Sequence, residues 1–251
     1  SFSETTVASF SAGFIIGATE GDADTQLDSE STTVNYSYNL DLNTSFNGED
    51  DLYVGIEAGN TTAGVPLTGM LDYGAATSDK LTIADVHYTR PFGDKLTVSV
   101  GDSMDLSKQF SGACAYSGFT DVLSDCGTGN SAGAGGDVSL SASYDAGNGF
   151  TVGAGISGLE GSTANGLFTK EAADMYGIQL AYAADNYGAA VTYSNSDTTT
   201  TDTVYWGLNA YYSFDNTFID SVSVGYEAAN PSNGKDSQGY FIGLTTPLSA
   251  I

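Results

Sequence analysis

Cys114 and Cys126 are the only two cysteines in the 251 residues, with eleven residues between them. Thiols at that spacing suit an intrachain bridge. Such a bridge stabilises by about 2–4 kcal/mol, chiefly by limiting the alternatives open to the enclosed loop. Four carboxylates, Asp102, Asp105, Asp121 and Asp125, accompany the pair, with Lys108 as the one base of the stretch. Carboxylates gathered at a narrow passage favour cations. The same residues on an outside loop are simply solvated, and the bridge then guards against proteolysis. The residues alone leave both readings open.

The other candidates for chemistry are weaker. "DADTQLDSE" places Asp22, Asp24, Asp28 and Glu30 as a calcium loop would, but its sixth position is Leu27 where an EF-hand needs glycine. A solvated acidic loop with loose divalent cation binding is the expectation, and no other cofactor is called for. His87 is the single histidine, so neither a catalytic triad nor a zinc site can be assembled; it is expected in the wall of the fold or near its edge. "GAGISG" carries Gly153, Gly155 and Gly158 in dinucleotide-fingerprint order, but "LEGSTANG" follows where a helix is required. Arg90 and Lys95 bracket a short turn, where they meet lipid headgroups or line a lumen opposite the loop carboxylates. Three sequons, "NYS", "NTS" and "NTT", match glycosylation by letter only. No catalytic cluster emerges, and an enzyme is not expected.

The elements that must position these residues are strands. Val34, Tyr36, Tyr38, Leu40 and Leu42 alternate with Asn35, Ser37, Asn39, Asp41 and Asn43, a period of two that a helix would scatter. Leu96, Val98 and Val100 repeat the pattern, as do Val138, Leu140, Ala142 and Tyr144, and again Tyr176, Ile178, Leu180 and Tyr182. About twelve such segments can be counted. Short turns rich in Gly, Asn and Asp, at 47–50, 92–95, 146–149, 184–186 and 214–216, alternate with long connections near 18–32, 59–79, 103–136, 158–174, 195–202 and 228–238. Nine aromatic residues flank the short turns: Phe46, Phe92, Tyr144, Phe150, Tyr182, Tyr187, Tyr212, Phe214 and Phe218.

That layout predicts one all-β domain over 1–251, an antiparallel transmembrane β-barrel with short periplasmic turns, long outer loops and an aromatic girdle at one membrane interface. The alternative is a soluble sandwich or lipocalin-like barrel, whose apolar faces would form a core. The Asn/Ser/Thr/Gly/Asp face suits a wet lumen better. A formal charge of −25 excludes nucleic acid as a partner, and 16 tyrosines with 12 phenylalanines argue against disorder. The first residues, "SFSETTVASF", lack a basic start and an apolar core, so any signal peptide is expected to have been removed.

"FSETTVASFSAGFIIGATEG", "DLNTSFNGEDDLYVGIEAGN", the pair "ACAY…SDCG", "YDAGNGF" and "YAADNYG" together resemble the porins of marine cyanobacteria, related to the carbohydrate-selective porins. The resemblance covers nearly the whole chain. It implies a secreted outer-membrane barrel, usually trimeric, that passes small hydrophilic solutes, with the family's loop cysteines falling on Cys114 and Cys126. By analogy with trimeric general porins, the third long loop, 103–136, would fold back and narrow the pore. Those porins usually begin with a wall-binding surface-layer-homology module, which has no counterpart here, and sixteen strands would need roughly 330 residues. The expectation is therefore either a sixteen-strand barrel in a longer chain or a smaller one. The functional reading is a passive, cation-preferring channel for ions and small solutes; the rival is a structural or adhesive surface protein, such as a filament subunit.

Overall fold

The computed structural model describes residues 6–19, 29–60, 75–111, 138–167, 169–170, 172–198, 200–215 and 218–246. The described residues form twelve strands and no helix: β1 (Thr6–Thr19), β2 (Ser29–Thr44), β3 (Asp51–Gly59), β4 (Thr82–Phe92), β5 (Leu96–Asp102), β6 (Val138–Gly147), β7 (Phe150–Gly158), β8 (Asp174–Ala183), β9 (Tyr187–Asp197), β10 (Asp202–Ser213), β11 (Ser221–Pro231) and β12 (Ser237–Thr245). Sheet order is chain order, so every neighbour is a sequence neighbour. The chain divides inside β4, between Val86 and His87, into two compact units.

In the first unit β1, β2 and β3 pair antiparallel, with Phe10 opposite Leu40 and Leu40 opposite Ile56. Phe10 is 77% exposed while Asn35 is 6% exposed. The β2–β3 turn is closed by one carboxylate: Asp50 Oδ1 accepts bonds from Ser45 Oγ and from the N–H groups of Phe46 and Asn47, at 2.9–3.0 Å. That is why "NGED" turns where it does.

The second unit repeats the arrangement from the later part of β4 through β12. Its apolar ranks run straight across the strands: Leu180, Val191, Leu208, Tyr226 and Tyr240 are successive partners. All but Val191 are more than a third exposed, whereas Ser99, Ser141, Thr192 and Ser194 on the opposite face are fully buried. Each large apolar side chain gains about 1.5–3 kcal/mol on leaving water. A soluble sandwich would not turn that face outward and bury serine and threonine instead. The inverted burial, on strands hydrogen-bonded to their chain neighbours from β1 to β12, is the arrangement a bilayer demands. The fold is an antiparallel transmembrane β-barrel fold.

Two expectations change. The connections at 198–201 and 232–236 are short, not long, because stretches without large apolar residues, such as Asn195–Asp197 and Ala228–Asn230, keep their ladder pairing beyond the apolar band. There is also a second aromatic belt. Beside the expected one, where Phe150, Tyr182 and Tyr187 stack at 4.8 and 5.8 Å, Tyr176, Tyr193, Trp206 and Tyr226 mark the other end of the same face. Tyr193 and Trp206 meet edge to face at 5.0 Å. On β9 and on β10 the belts lie six residues apart, roughly 20 Å along a strand.

Candidate functional site

The polar face of the second unit carries a docked segment of chain. After β5, Ser103 takes a positive φ of 57° and turns the chain. Residues 103–111 then lie on that face. Met104 and Leu106 are fully buried. Leu106 clusters with Met175, with Phe110 and Tyr205 against them.

Three wall glycines make this seat. A methyl group at Gly155 would collide with the Leu106 carbonyl, one at Gly153 would lie 2.6 Å from the Phe110 ring, and one at Gly177 would lie 3.0 Å from Leu106 Cδ1. The "GAGISG" stretch therefore has a job unrelated to nucleotides: its missing side chains are the space the segment occupies. Gly158, its last glycine, does the same for Leu167.

Polar tethers fix the position. The Gln109 N–H donates to Ser141 Oγ at 3.0 Å and its side-chain amide to Ser99 Oγ at 2.8 Å. Ser99 in turn shares a 2.6 Å bond with Thr89. The Ser111 N–H donates to Gln179 Oε1 at 2.6 Å, and Gln179 Nε2 donates to Thr192 at 3.1 Å. At about 0.5–1.5 kcal/mol per bond, added to two buried apolar side chains, the segment is a fixed strap.

The anticipated site residues fall in different places. Asp105, half-buried, and Lys108, exposed, both ride on the strap, where the Lys108 N–H bonds the Asp105 carbonyl at 3.0 Å. Asp102 is exposed and in register with Val98 and Val100 on the apolar face. Cys114, Cys126, Asp121 and Asp125 lie outside the described residues, as do Asp22, Asp24 and Asp28. Arg90 is exposed, its guanidinium 5.6 Å over the Phe92 ring, and Lys95 is exposed in the adjoining turn. Thr89 bonds Ser99 on the polar face, so Arg90, one residue on, belongs to the apolar face. His87 is 3% exposed, two residues from Thr89 on the polar face.

Wall acids are the residues the loop-centred reading passed over. In the first unit Tyr53 Oη donates to Asp41 Oδ1 at 2.7 Å, and the Tyr53 ring reaches there by lying over Gly55. Glu57, opposite Asn39, shares that face, and Asp85 falls at the matching parity of β4. In the second unit Asp145 and Glu227 take polar-face positions. Among the described strand residues no lysine or arginine stands on a polar face. The alternation that located the strands could have located these acids, since each sits at an odd-numbered, polar position.

No protein-family model matches the sequence and no curated protein matches it. Solved structures do. OprB of Pseudomonas putida is similar over 95% of this chain and 68% of its own, at 12% identity and a TM-score of 0.56. A triple mutant of Rhodopseudomonas blastica porin is similar over 97% and 91%, at 13% identity and a TM-score of 0.48. OmpT, an outer membrane protein of Vibrio cholerae, is similar over 95% and 81%, at 13% identity and a TM-score of 0.43. At such identities the likeness concerns the fold, and OprB carries it.

Proposed function

We propose that this chain is an outer-membrane porin, a passive channel for small hydrophilic solutes and ions that prefers cations. The observation supporting it is the strap: a segment seated on the polar face and tethered as far along as Gln179 narrows whatever that face encloses. An adhesin or filament subunit built on the same strands has no use for it. Transport is diffusion, and no side chain does chemistry.

Cation preference is supported by the wall. Asp41, Glu57, Asp85 and Glu227 occupy polar-face positions without a basic strand residue among those described. Salt screens charges beyond about 8–10 Å, so only carboxylates that permeating ions pass closely contribute. Asp105 on the strap is proposed as a further such carboxylate, as are Asp121 and Asp125. Asp102, on the apolar face, is left out.

The remaining parts of the reading follow the sequence: from the resemblance, relation to the cyanobacterial and carbohydrate-selective porins, a secreted homotrimer and a Cys114–Cys126 bridge holding the rest of the loop; from the residues, a removed signal peptide and no cofactor beyond loosely held divalent cations. Planar-bilayer recording tests the function. Discrete conductance steps with a reversal potential displaced toward that of the cation are expected. Insertion without conductance would overturn the channel.

A further inference from the structure

The apolar face of the second unit is not uniformly filled. Between β8 and β11 it holds a groove of about 420 Å³. Its floor is Ala189 and Ala210, direct cross-strand partners. Leu180, Val191 and Leu208 rise toward one end, while Tyr182, the cross-strand partner of Ala189, and Phe150 beyond it stand beside the floor in the same rank. Two alanines side by side, where neighbouring ranks carry Leu, Val and Tyr, make a depression that bulk lipid would fill only with loss of contact.

We propose that this groove is a binding site for one phospholipid of the leaflet on the short-turn side, with an acyl chain lying over Ala189 and Ala210. The inference rests on the membrane-spanning fold and not on the channel. Two observations select this occupant. The groove is continuous with the lipid-facing band, and its floor lies two residues inward of the paired Tyr187 and Tyr212 on the same two strands. Charge fixes the direction in which the lipid lies: beyond Tyr176 and Tyr193, Asp174, Asp197 and Asp202 stand side by side across three strands, and that row repels a headgroup phosphate. The headgroup therefore belongs at the short-turn end, among the Tyr182 and Tyr187 rings. A second copy of this chain, which in a trimer would meet this patch with a different surface of its own, is the competing occupant that the test below separates.

The only tryptophan provides the readout. Trp206 stands on the apolar face of β10, four residues from Ala210 and roughly 13 Å along the strand, where a chain rising from the short-turn side passes. The full chain in detergent is titrated with phosphatidylethanolamine brominated in the distal half of its acyl chains. Saturable quenching of Trp206 at about one lipid per chain is expected. The double variant Ala189→Leu/Ala210→Leu should lose the saturable phase, and Ala142→Leu, an outward change on β6, should keep it. Heat-modifiable gel migration verifies that each variant is folded, with the single variant Ala189→Leu as the milder alternative. Quenching that rises only in proportion to lipid content, or that is unaffected by filling the groove, would overturn the proposal. So would an oligomer present in the wild type and lost in the double leucine variant, because the occupant would then be a second copy.

Discussion

Ser111 and Gln179 are 68 positions apart in the chain, and the N–H of the first lies 2.6 Å from the side-chain oxygen of the second. Gln179 is 1% exposed and has its other end on Thr192, so the bond is made inside a closed network. Gln179→Leu leaves the Ser111 N–H without that acceptor, a loss of about 1–3 kcal/mol for a buried donor. Open-channel current noise should rise while the folded gel form persists. Unchanged noise would mean that the strap is held without this bond.

The glycine seat makes a graded prediction. Gly155→Ala meets backbone at Leu106, whereas the nearest atom to Gly177→Ala is the tip of the Leu106 side chain at 3.0 Å, with Ser194 Cβ at 3.3 Å. The first should displace the strap and raise single-channel conductance, and the second should change it little. Equal effects, or a fall in conductance for Gly155→Ala, would contradict a strap that narrows the passage.

Charge neutralisation separates wall from loop. The triple change Asp41→Asn, Glu57→Gln and Asp85→Asn should move the reversal potential toward zero. Asp102→Asn should not, because Asp102 is in register with Val98 and Val100. Reversal potentials in a salt gradient decide it, and the opposite ranking would return selectivity to the loop.

Cys114 and Cys126 should be joined. Non-reducing mass mapping should find one linked peptide pair and no alkylated thiol. The double Cys114→Ser and Cys126→Ser variant should give noisier current with an intact fold, and two free thiols in protein from its native compartment would refute the bridge.

Like charges set side by side across strands are destabilising. Asp197→Asn, between Asp174 and Asp202, should therefore raise the unfolding temperature in detergent by a small amount at neutral pH. Thermal melts at low and high salt check this, since added salt should shrink the gain.

Strand positions and faces could be read from alternation, because the pleat forces a period of two and each face meets one solvent. Tyr176, Ile178, Leu180 and Tyr182 fell where expected. The expected aromatic belt was there too, but its partner at Trp206 was not anticipated, because Trp206 flanks none of the short Gly/Asn/Asp turns that marked the first belt. The strap was legible only by analogy. What seats it is glycine, whose contribution is an absence, and an absence has no periodicity. Asp102 shows the converse: its place in the sequence suggested a loop, whereas its parity assigned it to the apolar face.

The inverted burial of this chain also inverts its tolerance to change. Bulk lipid is a liquid with no fixed shape to match, so outward residues away from the Ala189–Ala210 groove, such as Leu140 or Ile242, answer to how oily they are and hardly to how they are shaped. Inward, where Leu106 rests on Gly155, one extra methyl meets a solid. Sequence drift should therefore run freely through the large residues and stop at the smallest ones, the reverse of what a water-soluble protein records in its core.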